Sequence, residues 1–180
     1  MYSQQELSTL LELACAGARQ AGAIIATSIG AALQVETKSS RRDLVTEVDR
    51  RVEDFLYQFL LDQTPEFGWL GEESHFTGSH TRQAEPKWVV DPLDGTTNFA
   101  HGIPFVGISI ALQWKGQLAI GVVYEPIRET CYWAEAGRGA WCDGRRMHVS
   151  RAQELNRCVL ATGFSYDRAT NPDNNTREVT

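Results

Sequence analysis

The chain has 180 residues, with 17 Lys and Arg against 23 Asp and Glu, a net charge of −6, and 42% hydrophobic and 22% charged residues. This is the composition of a soluble globular protein with one sizeable core, and its acidic balance argues against a general nucleic-acid binder, whose footprint is basic. No run approaches 18 uncharged apolar residues, the start Met1-Tyr2-Ser3-Gln4-Gln5-Glu6 has no positive n-region, and Cys15, Cys131, Cys142 and Cys158 show no CxxC or zinc spacing; the reading is a cytoplasmic protein with buried free thiols, no membrane span and no signal peptide.

Leu7, Leu10, Leu11, Ala14, Ala18, Ala21 and Ile25 recur every three or four residues and predict an amphipathic helix with Ser3 as its cap. Leu33 to Thr37 alternates as a half-buried strand does. A second helix is predicted from Thr46 to about Asp62, with Val52, Phe55, Leu56, Phe59 and Leu60 on its buried face, ended by Pro65 and Gly68. Two short apolar runs, Phe67 to Leu70 and Trp88 to Val90, each lead directly into acid. The polar stretch between them, Ser74 to Pro86, reads as an exposed loop. A meander follows: Val106 to Trp114, a Lys115-Gly116 turn, Leu118 to Tyr124, a break at Pro126, and a strand from Cys131 to Ala134. Asp143-Gly144 is a hairpin signal. Ala152 to Leu155 reads as helical and Cys158 to Thr162 as a last strand. Helices first and hairpin strands after them predict an α+β domain with a largely antiparallel sheet, read as a single domain over 1–180 with no internal repeat.

The chemistry concentrates in Trp88-Val89-Val90-Asp91-Pro92-Leu93-Asp94-Gly95-Thr96-Thr97-Asn98-Phe99. A strand delivers Asp91 at its end, and Pro92, which cannot donate to a ladder, is expected to stop the pairing there. The turn frees the Leu93 carbonyl and sets Asp94 beside Asp91. Gly95 permits close backbone approach, and Thr96-Thr97 open a short helix whose first N–H groups favour an anion, phosphate above all. Two carboxylates, a carbonyl and an anion cradle in one turn describe a site for hard, oxygen-liganded cations facing a phosphate. An arbitrary D-x-x-D is a cap and a turn residue far more often; the surrounding residues reverse that here. In Leu70-Gly71-Glu72-Glu73-Ser74 a Glu pair ends the other apolar run, and adjacent parallel strands would bring Glu72 to Asp91. Asp43-Leu44-Val45-Thr46-Glu47-Val48-Asp49, with Lys38 upstream, contains a Thr46 and Asp49 pair that resembles a capping box.

In this order and at these separations, "DLVTEVD", "GEES" and "WVVDPLDGTTNFAHG" resemble the inositol monophosphatase family of magnesium-dependent, lithium-sensitive phosphatases. The resemblance continues through "GIPFVGISIAL", "GVVYEP", "GRGAWCDG" and "ATGF", from Lys38 to Arg168. It implies a layered α-β-α sugar-phosphatase fold and a homodimer acting on a small phosphorylated substrate. It implies one Mg²⁺ on Glu72, Asp91 and the Leu93 carbonyl and a second on Asp91 and Asp94, with Mn²⁺ able to substitute. Thr96 and Asp49, with Glu72, would serve the attacking water, while Asp94 and the N–H groups of Gly95 and Thr96 would bind substrate. Glu73 and Lys38 would lie near the site. The family's second signature, a Trp-Asp pair that adds a ligand to the second ion, does not occur in this sequence, so the chain is read as the N-terminal metal-binding portion of the fold with the C-terminal layers absent.

Other motifs are weaker. Gly137-Arg138-Gly139 is a lone GxG and reads as a turn, there is no P-loop, and His75, His80, His101 and His148 have no zinc spacing. The five tryptophans fall in predicted strands or at their ends and read as core. Two function classes follow: a Mg²⁺-dependent phosphomonoesterase, for myo-inositol monophosphate first and then histidinol phosphate, fructose bisphosphate or a phosphoadenosine nucleotide, or a non-catalytic remnant that binds a cation.

Overall fold

The computed structural model describes residues 3–29, 35–37, 44–72, 84–163 and 170, with 35–37 and 44–46 described by their backbone alone. Helix α1, Gln4–Ser28, opens on a complete capping box: Glu6 N–H donates to Ser3 Oγ at 3.2 Å and Ser3 N–H donates to the Glu6 carboxylate at 2.7 Å. Its inward stripe is Leu11, Ala14, Ala18, Ala21 and Ile25, mostly small residues that let the helix settle closely on the sheet. At Gly22 the approach is so close that any Cβ would strike the Tyr124 ring. Strands β1, Val35–Thr37, and β2, Leu44–Thr46, form an antiparallel ribbon that feeds helix α2, Glu47–Leu61. The helix predicted from Thr46 therefore starts one residue later. Leu44-Val45-Thr46, with two β-branched residues, joins a strand partner instead.

The main sheet has seven strands in chain order: β3 Gly68–Gly71, β4 Lys87–Asp94, β5 Gly107–Trp114, β6 Gln117–Glu125, β7 Thr130–Glu135, β8 Gly139–Cys142 and β9 Arg145–Arg146. β3 and β4 are parallel and every other pair is antiparallel. Lys115-Gly116 and Asp143-Gly144 are two-residue turns with positive φ at both positions, the geometry that matches the right-handed strand twist. α1 and α2 pack on one face, where Trp88, Val90, Ile108, Ile110, Leu112, Ile120, Val122 and Cys131 join their inward stripes in one core cluster. Trp88, fully buried, donates its Nε1–H to Thr64 Oγ1 at 2.9 Å and so ties β4 to the end of α2.

Three expectations change. Pairing does not stop at Pro92: the β4–β5 ladder slips at Asp91 and resumes at Asp94 opposite Gly107, a bulge that carries the proline without a ladder hydrogen bond. The helical stretch expected at Ala152 to Leu155 is a single 3₁₀ turn displaced to Leu155–Arg157. Cys158 to Thr162 is irregular rather than a strand, with Val159 and Leu160 exposed and no ladder partner among the described residues; β-propensity without a neighbouring strand leaves the backbone unpaired. All four cysteines are free, and Cys131 alone is buried.

Candidate active site

β3 and β4 run parallel with Gly71 opposite Val90, so the residues that leave these two positions, Glu72 and Asp91, emerge side by side. This juxtaposition joins two motifs separated by a stretch that includes the undescribed residues 73–83. Asp91 is half-buried and Glu72 is exposed at the mouth of the same edge. The Leu93 N–H donates to Asp91 Oδ1 at 3.2 Å, which folds the turn back over the carboxylate. Asp94 is exposed at the rim, near enough for its charge to act on Asp91. It is not a helix cap, because Gly95 occupies the N-cap of α3, Thr96–Ala100, in the left-handed region at φ 89°. Two features demand glycine at this position: the left-handed backbone, and the Phe105 carbonyl oxygen, which would lie only 3.0 Å from a Cβ.

Burial first, then the charges of Glu72 and Asp94 and a hydrogen bond with Glu72, pushes the Asp91 carboxyl up to about 7, against a smaller downward pull from the Leu93 N–H. Among the described residues, no three His, Cys, Asp or Glu side chains form a ready cation cage. The donor set that is present, two or three carboxylates and one peptide carbonyl, is all hard oxygen and fits Mg²⁺ or Mn²⁺ with water and phosphate completing the shell. The sign of the pH dependence follows. A carboxyl raised in the folded state contributes its full stability below the unfolded pKa, and that contribution is lost as the pH rises through about 7. In chelator, the melting temperature of Asp91→Asn should therefore gain on that of the unmodified chain between roughly pH 4 and pH 7. Thermal melts that give a gap independent of pH would show that the carboxyl is not raised.

The Thr96 hydroxyl donates to the Leu93 carbonyl at 3.0 Å, placing both expected oxygen groups on one spot. α3 lies against β2, which runs straight into α2, and Asp49 in the first turn of α2 is buried to 1%. A cleft of about 140 Å³ opens beside the turn, lined by Asp94, Gly95, Asn98, Phe105 and Glu125 among others. Asn98 donates to the Phe105 carbonyl at 2.8 Å and its backbone carbonyl accepts from the Ile103 N–H, so the segment after α3 is fastened around the cleft. A larger groove, about 530 Å³, runs along the sheet face that no described element covers, past Val89, Ala111, Gly121 and Ala134, with Asp91 among its lining residues. Its lining is too apolar for a phosphate ester.

Lys38, Asp43 and Glu73 lie outside the described residues, as does the Thr46 side chain of the expected capping box. His101 follows α3 and is exposed. Sequence reasoning misses Glu53, which is fully buried on α2 one turn beyond Asp49. A signal exists for it: two acids four residues apart share the face carrying Val52 and Leu56.

The chain matches the model of the inositol monophosphatase family over residues 6–179. Inositol monophosphatase 1 of Rattus norvegicus is 38% identical to it over 152 residues, 84% of this chain and 55% of that protein. The Nus factor SuhB of Pseudomonas aeruginosa is 40% identical over 162 residues, 89% of this chain and 59% of that protein. Among solved structures, an IMPase/NADP phosphatase complexed with Mg²⁺ and phosphate superposes with a TM-score of 0.68 at 30% identity, over 78% of this chain and 53% of that one. The chain thus spans little more than half the length of these relatives.

Proposed function

The chain belongs to the inositol monophosphatase family, and on that premise we propose that it contributes the cation and phosphate site of a Mg²⁺-dependent phosphatase for small phosphate monoesters, myo-inositol monophosphate first among them. The observation that carries this reading is the parallel β3–β4 register, which sets Glu72 beside Asp91 at the head of the Asp94-Gly95-Thr96 turn. Glu72, Asp91 and the Leu93 carbonyl would hold one divalent cation, and Asp91 and Asp94 a second. Bound there, such cations supply positive charge to the phosphate oxygens and acidify water.

The chain's own groups have defined tasks in this reaction, in which water adds to phosphorus and the alcohol leaves. The Gly95 and Thr96 N–H groups, at the start of α3, hold phosphate oxygens and fix the phosphorus in line for attack. The Thr96 hydroxyl, which donates to the Leu93 carbonyl in this structure, would rotate to accept the water's proton and release its own toward the buried Asp49 carboxylate. The same reading takes the protein as a Li⁺-sensitive, cytoplasmic homodimer. Among the described residues, no helix is long and apolar enough to cross a membrane.

Phosphate release from the purified chain tests the reading with a panel of myo-inositol monophosphate, histidinol phosphate, fructose bisphosphate, a phosphoadenosine nucleotide and NADP. Release that requires Mg²⁺ and is highest with myo-inositol monophosphate is expected; release undiminished in chelator would overturn it. The second reading, a cation-binding chain without turnover, is favoured by one feature: among the described residues the second ion would have only Asp91 and Asp94. Mg²⁺ binding without phosphate release from any ester would decide for it.

A further inference from the structure

Glu53 is an acidic side chain with no exposed surface, and the proposed reaction gives it no task. Burying such a group is costly when an apolar residue of similar volume would fill the space. Its surroundings show what it does instead. Glu53 Oε1 accepts a hydrogen bond from Trp69 Nε1 at 3.3 Å, and Trp69 is itself buried to 2% in β3. The same carboxylate presses on Gly71: a Cβ there would collide with Glu53 Oε1 and Cδ and would meet Trp69 Nε1 at 2.8 Å. Gly71 has no positive φ among the backbone exceptions, so its glycine is explained by space rather than by conformation. Gly71 is the last residue of β3, and the next residue is Glu72.

We propose that Glu53 is a positioning residue for the cation site: its carboxylate, braced by Trp69 and seated against Gly71, sets the direction in which the chain leaves β3 and therefore the aim of Glu72 toward Asp91. This rests on the assignment of Glu72 as a cation ligand. The geometry accounts for three residues at once. Trp69 supplies a donor, which Phe or Leu would not. Gly71 leaves room for the carboxylate. Glu53 bridges α2, which also carries Asp49, to the strand that leads into Glu72. Two site elements are thereby held by one helix, and a ligand displaced by as little as about 1 Å loses its cation geometry.

Calorimetric titration of the chain with Mn²⁺ tests this, with folding checked by circular dichroism. Glu53→Ala, which removes both the brace and the acceptor, should weaken binding by roughly tenfold or more, the scale on which partners behind a ligand act. Glu53→Gln, which keeps the shape and an acceptor oxygen, should restore it. Leu56→Ala, a cavity in the same helix face, should lower the melting temperature and leave the affinity unchanged. Unchanged affinity in folded Glu53→Ala, or an equal loss in Leu56→Ala, overturns the proposal. If Glu53→Ala yields no folded protein, Trp69→Phe decides in its place: several-fold weaker binding supports the brace and wild-type binding refutes it. Glu72→Gln separates the two layers of inference. If it leaves Mn²⁺ binding intact, the cation assignment falls and this proposal with it; if it weakens binding while Glu53→Ala does not, the positioning role alone falls.

Discussion

Asp91→Asn abolishes saturable binding of Mg²⁺ or Mn²⁺ in a calorimetric titration at neutral pH, a loss on the order of 100-fold or more, beyond what removal of a partner behind the ligands costs. The size follows from position. The charges of Glu72 and Asp94 both act on Asp91, and in the proposed site Asp91 is the carboxylate assigned to both ions. Removing its charge weakens two sites, whereas Glu72→Gln removes charge from the first alone and should lower affinity without erasing the second. The fold should survive, because Asp91 is the last regular pair, opposite Ser109, before the bulge, and Asn can still accept from the Leu93 N–H. Wild-type affinity in Asp91→Asn would refute the assignment.

In a version of the enzyme that carries the family's second signature, Thr96→Ala lowers kcat for Mg²⁺-dependent phosphate release by roughly 10²–10⁴ while leaving KM nearly unchanged, the pattern of a group that handles the water's proton in the transition state. The structure separates this outcome from a bland one. Thr96 is the first residue of α3 and not its cap, and its hydroxyl donates to Leu93, the carbonyl assigned to the first ion. A purely structural hydroxyl of this kind contributes about 1 kcal/mol, which would register as a lower melting temperature with kcat intact. Kinetics and melting curves on the same preparation distinguish the two, and an active but destabilised variant tells against the role in catalysis.

Much of this architecture is legible in the chain. The three-and-four spacing of α1, its Ser3 cap, the Lys115-Gly116 and Asp143-Gly144 turns and the meander between them are local patterns, and local sterics and hydrogen bonding enforce them. The elements that sequence misplaces are those whose state depends on a distant neighbour. Leu44 to Thr46 is a strand because β1 lies beside it, and Cys158 to Thr162 is not one because no strand among the described residues does. Pro92 reads as a stop, yet β5 continues past the bulge and recovers Asp94 at Gly107.

For the candidate site, the chemistry is set by residue identity: hard carboxylate oxygens at Glu72, Asp91 and Asp94, a glycine able to adopt φ 89°, and a helix start at Thr96. These are properties of residue types and of four or five consecutive backbone torsions, so they can be read without knowing what lies nearby. Which groups meet depends instead on how the elements pair and pack. The pairing of Gly71 with Val90 brings Glu72 to Asp91 across a long intervening stretch, and burial, together with that proximity, raises the Asp91 carboxyl. Glu53 shows the same division. Its place on the inward face of α2 follows from helical spacing, but its seat between Trp69 and Gly71 exists only once α2 has docked against the end of β3, because burial and close contact are properties of packed elements and not of any one segment.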